Sequence, residues 1–410
     1  MHVLIVAPYY APDLGPAAPL YTMLSEGLVK RGHRVTMIAA VPHYPSGQVL
    51  AAYRGARLWR SSENGVEVIR VPLPSMNRAN LAKRLLQFIC FHFGATLAGL
   101  GKRYDVALVG GPGLQVWLPF AALVVFRRKP AVFSVHDVYP NVGVTLGIFR
   151  HRPVIAAVAS LERFCLSRAF AIRILSESFR TGLRALGAPE TKMALIYDWV
   201  DTELIKPMPK DNCFTREHKL TDRFVVLYAG NLGLSQGLEH VLTAAEQLVD
   251  QEDLLFAFVG DGAGRQNLMA QAEHRRLKNV EFLPFQPRER LPEVLASANV
   301  SLVILRRGIG TGSLPSKTFS VMASGRPLIA SVDEGSETWN LVKMAKAGIC
   351  VPPENPSEIV KAIIALKKDK EFSERLGRNG RIWAEQNHSS QSAAEQFEKL
   401  LLAAISSKIS

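Results

Sequence analysis

Two periodicities alternate along this chain. Compact apolar runs cover residues 2–7, 35–40, 66–71, 106–109, 131–135, 170–175 and 192–197, then 224–229, 255–259, 280–283, 300–304, 328–331 and 348–351. Nearly all-apolar runs of this length read as strands covered on both faces, as in parallel sheets. Between them lie residues 20–31, 81–100, 117–126, 238–248, 265–274, 356–367 and 371–379, whose apolar positions recur at helical spacing. Residues 381–402 add an amphipathic tail, broken near Asn387-His-Ser-Ser390. Gly32 stands where the first helix needs a C-cap. The alternation predicts an α/β fold with doubly wound parallel sheets. Residues 205–221 are charged, carry Pro207 and Pro209 and follow neither period, so they read as a linker. The expected organisation is two Rossmann-like halves, residues 1–204 and 223–385, with a linker at 205–222 and a terminal helix at 386–410. Ligands of such sheets bind beyond the carboxyl ends of the strands, which makes a cleft between the halves the expected site.

Composition changes this picture little. The 410 residues are 48% hydrophobic and 21% charged, normal for a globular chain of two or three domains. The net charge of +13 is compatible with nucleic acid, an anionic membrane surface or phosphorylated substrates. No compact Lys/Arg run with interleaved aromatics is present, which argues against nucleic acid. Cys90, Cys165, Cys213 and Cys350 are scattered, without zinc or disulfide spacing, and fit a reducing cytoplasm. The first residues form an apolar run without a basic lead or cleavage site, which reads as a strand rather than a signal peptide. No window is long and clean enough for a spanning helix. Residues 81–100 and 117–126 have basic edges, from Arg78, Lys83, Arg84, Lys102 and Arg103, and from Arg127, Arg128 and Lys129. They suit either core helices or a lipid-facing surface with cationic flanks.

Candidate chemistry sits at strand-to-helix junctions. Around Thr311, Gly312, Ser313, Leu314, Pro315 and Ser316, main-chain N–H groups beside the Lys317 cation would suit a phosphate or diphosphate. Gly230, Asn231, Gly233 and Gln236 lie in a second loop that either cradles a phosphate or is simply a turn. The Gly260–Gly264 stretch lacks the spacing of a dinucleotide fingerprint and reads as a tight turn. His136 and Asp137 end a strand, where they could do acid/base work, hold a hydroxyl or cap the next segment. His33 reads as structural. No Ser/His/Asp arrangement or metal cluster is recognisable, and no metal or cofactor is expected.

In order, Tyr9-Tyr-Ala-Pro12, Arg31-Gly-His-Arg-Val35, Pro42-His-Tyr-Pro-Ser-Gly47, Asp137-Val-Tyr-Pro140, Asp198-Trp-Val-Asp201, the stretch from Tyr228 to Glu239, Gly260-Asp-Gly262, Pro315-Ser-Lys317, Met322-Ala-Ser-Gly-Arg-Pro327 and Glu334-Gly-Ser-Glu337 run almost end to end. Together they resemble family 4 glycosyltransferases of the GT-B type, more narrowly the bacterial subgroup that builds capsule, colanic-acid-like and O-antigen polysaccharide. The resemblance implies a retaining, metal-independent transfer from a nucleotide-sugar, most often a UDP-sugar, to a lipid-linked or glycan acceptor. It places the enzyme in the cytoplasm, peripheral at the inner face of the membrane. It further implies that the C-terminal half binds the donor through Gly230, Asn231, Gly233, Gln236, Phe285, Gln286, the segment from Thr311 to Ser316, Ser320 and Glu337. Lys317, His136 and Asp137 become the candidate catalytic residues, and Gly15, Tyr44 and Gly111 the acceptor contacts. The terminal helix is expected to pack back on the N-terminal half. Many members carry two glutamates where this chain has Gly312 and Ser320. That departure motivates one alternative, a non-catalytic GT-B protein binding a glycan or partner; a sugar-nucleotide epimerase is another.

Overall fold

The computed structural model describes residues 1–44, 46–55, 58–76, 81–145, 148–309 and 314–407. It divides into two compact units, Met1–Asp198 with Ser390–Ser410, and Trp199–Ser389.

The first unit is built on eight strands: β1 (His2–Val6), β2 (Arg34–Ala40), β3 (Trp59–Glu63), β4 (Val66–Val71), β5 (Val106–Gly110), β6 (Ala131–Val135), β7 (Ala171–Ile174) and β8 (Met193–Leu195). Their order is β3-β4-β2-β1-β5-β6-β7-β8, parallel throughout except for the β3–β4 hairpin. Helices α1 (Ala18–Lys30), α2 (Leu81–Leu100) and α3 (Gly113–Ala121) follow β1, β4 and β5. The order reverses at β1, between β2 and β5, and a crevice opens there at the carboxyl ends. The last helix, Ser390–Ser406, packs on α1. A side chain at Gly27 would stand 2.9 Å from the Ala394 methyl. Arg31 and His33 both pair with Glu398, which gives His33 its structural role.

The second unit holds β9 (Phe224–Ala229), β10 (Leu254–Val259), β11 (Val280–Leu283), β12 (Val300–Ile304), β13 (Leu328–Ser331) and β14 (Gly348–Val351). The sheet is wholly parallel, ordered β11-β10-β9-β12-β13-β14, and reverses at β9. Alternation within β9 explains its continuous apolar run. Val225 and Leu227 join the core on one face, Val226 and Tyr228 the core on the other.

Two expectations need correction, and one strand carried no signal. Residues 205–221 are no free linker. They contain the helix Cys213–Glu217, whose Asn212 and Thr215 form a capping box, and they bury Phe214 and Leu220 in the second unit's core. The helix expected at 371–379 runs on as Lys370–Asn387, and the break falls after it. The edge strand β3 has no apolar run, but Asn64 and Gly65 at its end both adopt positive φ, as a two-residue hairpin turn requires.

Candidate active site

Each unit carries a pocket beyond the carboxyl ends of its strands. In the second unit, β9 ends at Ala229 and the chain turns at Gly230, whose φ of 132° suits glycine. The neighbouring loop enters at Gly260, where a side-chain carbon would fall 2.0 Å from the Gly230 carbonyl oxygen. These two glycines let the backbones touch and keep the crevice floor open.

Lys317 points onto that floor. It is the first residue of the short helix Lys317–Ala323, and its Nζ lies 3.7 Å from the Tyr228 ring centroid. The Nζ atom is buried and has no hydrogen-bond partner among the described residues. Burial brings its pKa down to about 7, because water is excluded and no carboxylate among the described residues replaces it. The Tyr228 hydroxyl donates to the Asn231 carbonyl at 2.8 Å, fixing the ring beneath the ammonium.

The pocket around this amine has a volume of about 520 Å³. Of the residues expected to hold a donor, Gly230, Asn231, Gln236, Phe285, Gln286, Pro315, Ser316 and Ser320 line it, together with the candidate catalytic Lys317. Gly233 stands behind the wall: a side chain there would meet the amides of Asn231 and Gln236 at 2.7 Å. Leu314 packs against the core, and Glu337 begins the helix Glu337–Ala345 after the N-cap Ser336. Pro315 offers no N–H, and the amides of Thr318 and Phe319 bond Pro315 and Ser316, which narrows the expected main-chain cradle. Thr311, Gly312 and Ser313 lie outside the described residues. Arg288, half-exposed on the pocket wall, was not singled out in the sequence.

The first unit's pocket, about 440 Å³, is lined by Tyr9, Tyr21, Tyr44, Gly110, Gly111, Gln115, His136, Asp137 and Asp198 among others. It brings His136, Asp137, Tyr44 and Gly111 together. His136 Nε2 and the Tyr21 hydroxyl are hydrogen-bonded at 2.8 Å. Burial lowers the imidazole pKa to about 4, helped by the Arg173 charge, so the ring is neutral near pH 7. Arg173 is fully buried and donates to the Ile196 carbonyl and the Asp198 carboxylate, both at 2.7 Å.

Gly15 does not line this pocket. It lies against the Tyr9 ring, 2.6 Å from where a side-chain carbon would stand. Its N–H donates to Asp13 Oδ1 at 2.7 Å, while Asp13 Oδ2 accepts from the His43 N–H at 2.8 Å and the Tyr44 N–H at 3.4 Å. Burial pushes the Asp13 carboxyl up. The hydrogen bonds from His43 and Gly15 outweigh that and hold it below the usual carboxylate range. Asp13 thus ties together the loops that bear Gly15 and Tyr44. The sequence marked neither Asp13 nor Tyr21, since nothing local distinguishes them from loop and helix residues.

Two doubly wound units, each with a pocket at its strand ends, define the GT-B class. The fold is shared with the sucrose-phosphate synthase of Thermosynechococcus elongatus (TM-score 0.73, 18% identity, covering 99% of this chain and 100% of that one). It is also shared with Anabaena Alr3699/HepE, solved in complex with UDP (TM-score 0.70, 16% identity, covering 98% of this chain and 100% of that one). Residues 17–199 match the glycosyl transferase 4-like domain and residues 210–383 the glycosyl transferases group 1. The chain therefore belongs to these glycosyltransferases and is a transferase enzyme. Its sequence is similar to WcaI of Escherichia coli K12, a glycosyl transferase assigned to colanic acid biosynthesis (26% identity over 379 residues, 88% of this chain and 91% of that protein).

Proposed function

We propose that this enzyme moves a sugar from a UDP-sugar to a lipid-linked acceptor in cell-surface polysaccharide synthesis, with retention at the anomeric carbon and without a metal. It would work as a peripheral protein at the inner face of the membrane. No helix among the described residues is long and apolar enough to cross a bilayer. The likeness to a colanic acid glycosyl transferase supports the polysaccharide reading.

The observation that carries the proposal is the buried, unpartnered amine of Lys317 over Tyr228, at the end of a glycine-lined loop. A buried cation without a carboxylate is costly alone and favourable once an anion arrives. In transfer, the anomeric C–O bond breaks and its electron pair goes to the β-phosphate oxygen. The acceptor hydroxyl forms the new C–O bond, and its proton passes to that same phosphate oxygen. Charge grows on the diphosphate as the bond breaks, so a preplaced ammonium lowers the barrier. Neutral His136, held by Tyr21, would accept or donate a hydrogen bond to a sugar hydroxyl.

Thermal shift with UDP, GDP, dTDP and their sugars tests the donor, since a ligand of the folded state raises stability by mass action. Amide exchange should report protection at residues 230–236 and 314–317 with UDP. No stabilisation and no protection at saturating nucleotide would sink the reading.

A further inference from the structure

The outer side of α2 is apolar and open. Leu85, Ile89, Phe93 and Leu97 follow at intervals of four, with Leu86 beside them, and all are exposed. Spacing of this kind makes one stripe along a helix. Phe93 and Leu97 are 61% and 72% exposed. Val125 and Phe126, from the segment Ala122–Phe126 packed against α2, widen the stripe, and Phe126 is 77% exposed.

Cations gather at the C-terminal end of the stripe. Arg127 donates to the Lys102 carbonyl at 3.0 Å, which brings Arg127, Arg128 and Lys129 beside Arg103. Lys102 is paired with Glu67, and Asp105 accepts from the His2 N–H at 2.7 Å. Among the described residues no carboxylate pairs with Arg103, Arg127, Arg128 or Lys129. An apolar stripe with a rim of one sign, on a chain of net charge +13, complements an anionic lipid surface.

The inner side of α2 holds one loop and the start of α3. Gln87, 3% exposed, donates from Nε2 to the Gly47 carbonyl at 3.0 Å and the Pro74 carbonyl at 2.9 Å. Gly47 in turn donates to the His43 carbonyl at 2.7 Å, in the loop that bears Tyr44. His92 Nε2 meets the Leu114 carbonyl at 2.9 Å, next to the Gly111, Pro112 and Gln115 wall of the first unit's pocket. A helix that carries both surfaces links them.

We propose that an anionic bilayer docks on the outer stripe of α2 and, through Gln87 and His92, orders the Tyr44 loop and the start of α3, which wall the first unit's pocket. This rests on the lipid-linked acceptor proposed above. Docking then does more than concentrate the enzyme. It shifts the pocket toward its binding geometry, and linkage makes the effect reciprocal.

The test is vesicle sedimentation with amide exchange, using vesicles of equimolar phosphatidylglycerol and phosphatidylcholine. The wild type should sediment, and exchange at residues 43–44, 46–47 and 113–116 should slow about tenfold. The Phe93→Ser/Leu97→Ser variant, altered only at exposed positions, should fold normally and lose sedimentation about tenfold. Gln87→Leu should sediment yet lose the slowing at residues 43–44 and 46–47. Should Gln87→Leu melt early, the comparison of wild type with the outer-stripe variant decides. Absence of sedimentation, equal sedimentation with phosphatidylcholine alone, or sedimentation without slowed loop exchange would each overturn the proposal. UDP-induced stabilisation is measured in parallel. A protein that answers to UDP but not to vesicles loses this inference and the membrane placement, whereas one that answers to neither loses the proposed donor as well.

Discussion

The Lys317 ammonium sits 3.7 Å from the Tyr228 ring centroid, and that aromatic face is the only favourable electrostatic partner described for it. A cation–π contact offsets only part of the desolvation, which is why the amine titrates near neutrality. A bound diphosphate would raise that pKa. Between the free and bound values, binding takes up a proton, so UDP affinity should fall as pH rises above about 7. Calorimetry in buffers of different ionisation enthalpy should detect proton uptake in the wild type and none in Lys317→Met.

Lys317→Ala should lower kcat by about a hundredfold or more, the usual scale for removing a group that meets developing charge. The melting temperature should stay level or rise, because a poorly compensated buried cation has gone. Parallel loss of activity and stability, read by donor turnover and calorimetry, would contradict this.

Asp13→Asn should act on the acceptor side alone. The amide keeps the shape but loses the charge that accepts from Gly15, His43 and Tyr44. The acceptor KM should rise about tenfold, matching one charge-assisted hydrogen bond, with UDP stabilisation unchanged. Equal weakening of UDP would place Asp13 in a general folding role.

His136 predicts an acid sensitivity. Its native pKa of about 4 lies below the ordinary 6.5, so between those values the unfolded chain binds the extra proton. Stability from this group is full above pH 6.5 and declines toward pH 4, by about 3 kcal/mol at most. Denaturant unfolding across that window should show a shallower loss in His136→Asn.

Much of the architecture was legible because apolar runs in parallel sheets are dense and helices alternate with them. What escaped was held by tertiary contacts. The helix Arg152–Arg168 went unread because its inward stripe contains Glu162, a buried carboxylate whose Oε1 accepts from the Gly113 N–H at 2.6 Å. Burial pushes its pKa up to about 8, and no sequence pattern announces a carboxyl group inside a core. Residues 205–221 were misread because a single turn of helix, anchored by Phe214, is too short to display a period. For the site, glycine-rich loops and Lys317 carried their own signal. Asp13, Tyr21 and Arg288 act across long sequence separations and carried none.

The helix Ser390–Ser406 packs on α1, so the first unit is assembled from two segments that flank the Trp199–Ser389 unit in the sequence. During synthesis on a ribosome, the Trp199–Ser389 unit has all its residues first, while α1 waits uncovered for its final partner. Newly made protein should therefore complete the pocket around Lys317 before the first unit is whole. Chaperones and proteases would meet the bare side of α1 during that interval.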